Sequence, residues 1–169
     1  MSVPRVAAVV AIVAAIGAAI WFVRKPADEP TLVRQRLDSF ADLINKSTVD
    51  GAGMAARAAE LSAYLTEDVE VEFGVGSPPI RGRETIVGMA DRLQPRTAAF
   101  RLRFEDVMVA LKPTGDAASV HLTAEIIRRS ITTGEESLDA REFSLEMRRV
   151  GGDWKIARVT AVQTLKQAP

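Results

Sequence analysis

The C-terminal half of the chain contains four long segments in which apolar and polar residues alternate, at residues 98–111, 117–131, 137–150 and 154–165. The turn-forming sequences KPTGD, TTGEE and GGD separate them. Because alternation places successive side chains on opposite faces of a strand, the pattern predicts four consecutive antiparallel strands. Strands of this length twist and coil, so we expect a sheet that curls around helices.

The alternation also predicts which side chains share a face of this sheet. The inner, apolar face collects Phe100, Leu102, Phe104, Val120, Leu122, Ala124, Ile126, Phe143, Leu145, Met147, Trp154 and Ile156. The outer face carries charges of both signs and collects Arg101, Arg103, Glu105, His121, Glu125, Arg128, Arg141, Glu142, Glu146 and Arg148. We therefore expect the first face to form the core and the second to meet water or a partner protein.

The first of these segments changes phase partway along. Its apolar residues fall at even positions up to Phe104 and at odd positions from Val107 onwards. One extra residue near Glu105 and Asp106 would produce that change, so we predict a β-bulge there. Since bulges re-aim side chains, Asp106 either turns into the fold as an acid or stays on the surface.

Three helices and one further strand are predicted before the meander. Thr31 can cap a helix that carries one apolar stripe and ends near Lys46. Asp50 can cap a second, alanine-rich helix, and a third runs over residues 83–93. Residues 68–73 alternate with period two and are expected to form a strand.

Residues 6–23 contain no charged side chain. At about 1.5 Å per residue this run spans roughly 27 Å, close to the hydrocarbon thickness of a bilayer. Trp21 precedes Arg24, the order of aromatic and cationic residues that is typical of a membrane interface. We interpret the run as a single-pass transmembrane helix, with a cleaved signal peptide as the alternative.

This interpretation divides the chain into three parts. They are a transmembrane anchor (residues 1–24), a short linker (25–30) and one folded domain (31–166). A short head before the run and a long folded tail after it favour export of the tail. We therefore expect a bacterial-type inner-membrane protein whose soluble domain is extracytoplasmic.

Composition excludes several classes of function. Lys plus Arg and Asp plus Glu number 22 each, so no basic excess supports nucleic-acid binding. The chain has no cysteine, which removes thiol nucleophiles and thiolate metal sites. His121 is the only histidine, so a histidine metal cluster is impossible. We expect no metal and no cofactor.

Three stretches carry a resemblance to a known superfamily: AYLTEDVEVEF (63–73), IRGRETIVGMADRL (80–93) and GGDWKIARVTA (151–161). The order and spacing of these stretches resemble those of the nuclear transport factor two-like superfamily, which includes ketosteroid isomerase and the SnoaL-like polyketide cyclases. The resemblance implies an α+β, cone-shaped, cystatin-like fold. In it, three N-terminal helices would pack on a curled antiparallel sheet and leave a pocket between them.

The resemblance also identifies the positions at which an isomerase would need its reactive groups. The general base of that branch falls at Phe73 and its first-helix tyrosine at Phe40, and neither phenylalanine can move a proton or donate a hydrogen bond. We therefore expect no catalytic residue and a hollow largely filled by aromatic rings. The residues predicted to line it are Phe40, Tyr64, Phe73, Phe100, Asp106, Phe143 and Trp154.

Two functions from different classes follow from these observations, besides a weaker interpretation as a stabilising dimer with neither ligand nor partner. The first is a membrane-anchored, non-enzymatic accessory subunit that docks on a neighbouring membrane or envelope complex. It would use a protein partner, or a weak homodimer, through a surface formed by Arg101, Arg103, His121, Glu125, Glu142 and Arg148. The second is a SnoaL-like binder or enzyme that acts on a small apolar molecule in the pocket. It requires an open apolar cavity, with Asp106 as the best candidate for an inward acid.

Overall fold

The computed structural model describes residues 28–46, 51–74, 77–92, 98–130 and 133–162. These ranges contain three helices: α1 (Glu29–Asn45), α2 (Gly51–Ser62) and α3 (Arg83–Arg92). The six strands are β1 (Leu65–Glu72), β2 (Ile80–Arg81), β3 (Ala98–Leu111), β4 (Ala117–Ser130), β5 (Glu136–Val150) and β6 (Asp153–Ala161). The predicted anchor lies outside the described residues, and no helix in the described ranges is long and apolar enough to span a membrane.

The strands form one sheet in the order β2-β1-β6-β5-β4-β3. Strands β3 to β6 make the predicted antiparallel meander. The expectation of a purely antiparallel sheet is wrong, because β1 pairs with β6 in the parallel direction. Strand β2, helix α3 and strands β3 to β5 separate these two strands along the chain, so no local pattern determines their relative direction.

The bulge predicted near Glu105 and Asp106 is confirmed. The β3–β4 register shifts between Glu105 and Met108, and Asp106 has a φ of 51°. Aspartate is one of the few residues with a side chain that adopts this left-handed conformation without a large cost. Beyond the bulge, Val109 returns to the inner face opposite Val120.

The core lies between the inner face of the sheet and the helices, as the alternation predicts. Val120 and Met147 on the sheet are completely buried, as are Val33 of α1 and Val69 of β1. The other core residues include Leu37, Leu43, Leu61, Leu65, Val87, Leu122, Ala124, Leu145, Trp154 and Ile156. Burial of this apolar surface is the main force that holds the three helices on the sheet.

The N-terminus of α1 is attached to the β5–β6 hairpin through Trp154. Trp154 is 4% exposed, and its Nε1 donates to Glu29 Oε2 at 2.9 Å. Arg149 Nη1 donates to the other oxygen of the same carboxylate at 2.6 Å. The helix begins two residues before the predicted cap at Thr31, because Asp28 occupies the N-cap position. A carboxylate in this first turn also interacts favourably with the helix dipole.

Two further side chains join α1 to the rest of the domain. The Arg36 guanidinium lies over the Tyr64 ring, 3.9 Å from its centroid, and its Nη2 donates to the Ala63 carbonyl at 2.8 Å. Asn45 pairs with both backbone groups of Leu102, at 2.6 and 2.9 Å. Because β3 is an edge strand, Asn45 satisfies polar groups that would otherwise be open to another strand.

Candidate functional site

A cavity of about 280 Å³ lies between the inner face of the sheet and the helices. Its walls come from α1, α2, α3 and all strands except β2. The lining residues in the described ranges are Phe40, Ile44, Leu61, Leu65, Val69, Val71, Phe73, Ile86, Val87, Ala90, Leu102, Phe104, Leu122, Ala124, Ile126, Phe143, Leu145, Ile156 and Val159. Every one of these side chains is a hydrocarbon.

This lining decides what the described part of the cavity can do chemically. General acid–base catalysis needs a titratable group within hydrogen-bond reach of the reacting atom. No such group occurs among the described lining residues. These walls can therefore exclude water and bind an apolar molecule, but they cannot move a proton. Within the described residues, no group of three or more His, Asp or Glu is placed to hold a metal ion either.

Three of the residues predicted to line the pocket do so: Phe40, Phe73 and Phe143. The Phe40 ring lies parallel to Phe104 with a centroid separation of 6.5 Å. Phe73 is 59% exposed, which places it at the open side of the cavity. Both positions that the resemblance assigned to isomerase chemistry thus contribute an aromatic ring to the wall.

The other four predicted lining residues lie elsewhere. Tyr64 packs against the outer side of Phe40, at 5.6 Å between ring centroids, and lines a separate polar depression near the end of α1. Trp154 is in the core, and Phe100 is half-buried and does not contribute to this cavity. Asp106 is exposed. The bulge therefore turns this acid towards solvent rather than into the fold.

The expectation that aromatic rings fill the hollow is accordingly wrong. Trp154 packs near the N-terminus of α1, where Glu29 accepts its hydrogen bond, and so does not block the cavity. The three phenylalanines at positions 40, 73 and 143 form parts of the wall and leave the central volume open. The chain thus has the open apolar cavity that the second of the two functions requires, without the inward acid at Asp106.

The outer face of the sheet presents most of the predicted interaction surface to solvent. Arg101, Arg103, His121, Glu142 and Arg148 are exposed, and Glu125 is half-buried. Arg103 lies opposite Glu125 on the neighbouring strand, and its ion pair is with Glu105 of its own strand, at 3.6 Å.

Two carboxylates near this face are held by arginines. Arg148 Nη2 donates to both oxygens of Asp68, at 2.7 and 2.6 Å, and this contact lowers the pKa of Asp68 below its usual value. Arg81 lowers the pKa of Glu70 in the same way, and Arg158 adds a smaller effect. The ion pair between Asp68 and Arg148 is exposed and contributes little to stability, whereas the Glu70 side chain is only 13% exposed.

Two arginines expected on the outer face are on the inner face instead. Arg141 lies opposite Ala124, and Arg128 lies opposite Phe100. Opposite residues of an antiparallel pair project to the same side of a sheet, so both arginines share the face that lines the cavity. The alternation itself carries this signal, because Arg141 is two residues from Phe143.

Asp139 lies on the same face, opposite Ile126. Its Oδ1 is 3.3 Å from Arg141 Nε. This acid and the two arginines do not line the cavity itself. They are neighbours in the sheet of the wall residues Ile126, Ala124 and Phe143, and we call this position the edge of the cavity. The two arginines were predicted on the wrong face and Asp139 was not singled out, although counting in steps of two from Ile126 and Phe143 puts all three on the inner face.

Comparisons with solved structures agree with this architecture. A candidate scytalone dehydratase from Novosphingobium aromaticivorans superposes with a TM-score of 0.65 at 14% identity, over 81% of this chain and 85% of that chain. An NTF2-like protein with a cystatin-like fold from the same organism gives 0.63 at 16% identity over 90% of each chain. ActVI-ORFA from Streptomyces coelicolor gives 0.62 at 13% identity, over 79% of this chain and 96% of that chain. At these identities the likeness shows the fold alone.

The sequence itself carries the family relationship. No curated protein is a significant sequence match to the chain. The sequence profile of the SnoaL-like domain, however, matches residues 49–160, which include β1 to β5 and all but the last residue of β6. The expected α+β, cystatin-like fold with helices packed on a curled sheet is thus confirmed, with a mixed sheet in place of an antiparallel one. The chain belongs to the family of SnoaL-like domains.

Proposed function

We propose that the domain binds a small apolar molecule in the cavity between sheet and helices. The observation that carries this proposal is the open volume of about 280 Å³ with an entirely hydrocarbon lining in the described residues. A well-packed domain has few internal spaces larger than a water molecule. A preserved apolar hollow of this size lacks dispersion contacts that a bound ligand would restore.

The volume sets the size of the ligand. An engineered cavity of about 150 Å³ with similar walls binds benzene, so this cavity suits a molecule of roughly two fused rings. For about ten non-hydrogen atoms at roughly 0.5 kcal/mol each, the binding free energy is about −5 kcal/mol and Kd is about 0.2 mM. This is the affinity expected from the apolar contacts alone.

Binding is favoured over catalysis for a physical reason. One of the similar structures is described as a candidate dehydratase. Dehydration needs a base or acid that contacts the substrate. The described walls of the present cavity offer none, whereas their apolar surface is well suited to exclude water from a ligand.

The test is a titration with naphthalene-2-carboxamide, an uncharged two-ring probe, followed by its fluorescence. The blocking variant is Ala124→Leu, because Ala124 is buried and lines the cavity. The matched control is Ala140→Leu, the same substitution at an exposed residue on the outer face. We expect the control to bind like the wild type and the blocking variant to lose at least about tenfold in affinity. Equal binding by the two variants would contradict the proposal.

A membrane-anchored accessory role is the second candidate. The uncharged run at residues 6–23 supports it. In this role the chain would be a single-pass protein of a bacterial-type inner membrane, with its domain extracytoplasmic. After fractionation, the full chain should stay in the membrane pellet through carbonate extraction, and protease added to spheroplasts should digest the domain. Recovery in the soluble fraction would refute the anchor.

The outer sheet face is the surface that this second role would use. Met108 and Leu138 are exposed there, at 63% and 62%, among the charged residues of the predicted interaction surface. Met108 lies opposite His121, near the middle of the face. Sedimentation of the detergent-solubilised chain across a range of concentrations should reveal a weak dimer or a bound partner that Met108→Glu disrupts. A monomer at every concentration, with no co-purified partner, would argue against this use of the face.

A further inference from the structure

We infer that the cavity selects an apolar molecule with an anionic head, such as a small aromatic carboxylic acid, whose carboxylate binds Arg141 at the edge of the cavity. The inference rests on the proposed binding function and identifies the class of its ligand. It follows from three properties of Arg141: its position in the sheet, the N–H donors that it does not use within the domain, and the net charge of the residues around it.

The β4–β5 register determines the position of Arg141. It lies directly opposite Ala124, whose side chain forms part of the cavity wall. On the same strand, the next residue that projects to this face is Phe143, another part of the wall. The Cβ atoms of opposite residues are about 5 Å apart, so the guanidinium can reach the mouth without any movement of the backbone.

The Arg141 guanidinium is only partly used within the domain. Its Nε contacts Asp139 Oδ1 at 3.3 Å, and the side chain is 68% exposed. A guanidinium has five N–H donors in a rigid fork, so its terminal nitrogens can form a bidentate pair with a ligand carboxylate. This contact with Asp139 restricts the Arg141 side chain, so the side chain loses less conformational entropy when a ligand binds.

The surrounding charge favours an anion. Arg128 lies on the same face two residues beyond Ile126, and it has no ion-pair partner among the residues that the structure describes. Arg128, Asp139 and Arg141 together carry one net positive charge. The Cα atoms of the two arginines are roughly 14 Å apart, from the rise along a strand and the spacing between strands. Arg141 is therefore the direct contact, while Arg128 adds to the positive potential.

Two probes of the same shape test this inference. Naphthalene-2-carboxylate is ionised at neutral pH, and naphthalene-2-carboxamide is its uncharged counterpart. We expect the wild type to bind the carboxylate about fivefold more tightly at low salt, the effect of one partly exposed charge-assisted pair. Raising the salt to about 1 M should remove most of that preference, because screening then acts over roughly 3 Å.

Variants at the edge of the cavity test whether its arginines affect binding of the carboxylate without affecting binding of the carboxamide. Arg141→Gln should lose the preference for the carboxylate and bind the carboxamide as the wild type does. Arg128→Gln should weaken carboxylate binding by a smaller factor. Arg103→Gln removes a similarly exposed arginine from the outer face and should change neither affinity. All three positions are exposed, and unchanged thermal denaturation confirms that each variant is folded.

The outcomes distinguish this inference from the function on which it rests. If the wild type binds both probes equally, or Arg141→Gln keeps the preference for the carboxylate, the inference of an anionic head group is wrong. The apolar cavity then remains a binding site. If neither probe binds, and Ala124→Leu behaves like the wild type, both proposals fail together. A preference that disappears in Arg141→Gln but persists in Arg103→Gln supports the inference.

Discussion

The contact between Glu29 and Trp154 allows a stability prediction with a magnitude taken from the structure. Replacing Glu29 by alanine leaves the Trp154 Nε1 donor without its protein acceptor in a residue that is 4% exposed. An unsatisfied buried donor costs about 1–3 kcal/mol, and the partly exposed ion pair with Arg149 adds about 0.2–1 kcal/mol. We expect Glu29→Ala to lower the free energy of unfolding by about 2 kcal/mol.

Two matched variants divide this effect into its parts. Glu29→Gln keeps an oxygen that can accept from the indole and loses only the charge, so its loss should be about 0.5–1 kcal/mol. Arg149→Gln removes the ion pair and leaves the indole hydrogen bond in place, so its effect should be of similar size or smaller.

The measurement is urea denaturation of the purified chain, followed by far-ultraviolet circular dichroism. Changes in the midpoint at constant slope report stability without a change in the exposed surface. Equal destabilisation by Glu29→Gln and Glu29→Ala would show that the indole hydrogen bond contributes nothing and that the reasoning is wrong.

Three further predictions concern the bulge, the sheet edge and the response to acid. Asp106→Val should destabilise the domain by about 1–2 kcal/mol in thermal denaturation, because a β-branched residue resists a φ of 51°, whereas Asp106→Gly should be neutral or stabilising. Asn45→Ala removes two hydrogen bonds to the β3 backbone and should cost about 1–3 kcal/mol in urea denaturation, with more aggregation through the open edge. Arg148 lowers the pKa of Asp68 in the folded state below its ordinary value of 3.8. The ion pair therefore stabilises the domain above that pH, and this stabilisation is lost as the pH falls through the lowered pKa. In Arg148→Gln, the free energy of unfolding measured below about pH 4 should depend less steeply on pH.

Local periodicity was sufficient to predict most of the secondary structure. The alternation from residue 98 onwards specifies four strands and their turns, and the phase change after Phe104 locates the bulge to within a residue. The same alternation identifies the buried face, since Val120, Leu145 and Ile156 were assigned to it and are buried. These features depend on neighbours along the chain, which the sequence displays directly.

The site was predicted less completely. Phe40, Phe73 and Phe143 could be assigned to the wall because alternation and the family resemblance agree on them. Whether the rings fill the hollow depends on distances between elements that are far apart in sequence, and no periodicity encodes those distances. Trp154 was therefore assigned to the cavity, although it packs beside Glu29 at the start of α1.

The helices, the long strands, the apolar face of the sheet and the bulge in β3 can be inferred from the chain alone, because each is a property of residues close together in it. The parallel pairing of β1 with β6 and the open volume of the cavity cannot be inferred in this way. Both arise when segments that are distant in the chain pack against each other. Their geometry depends on the volume, register and direction of both partners at once.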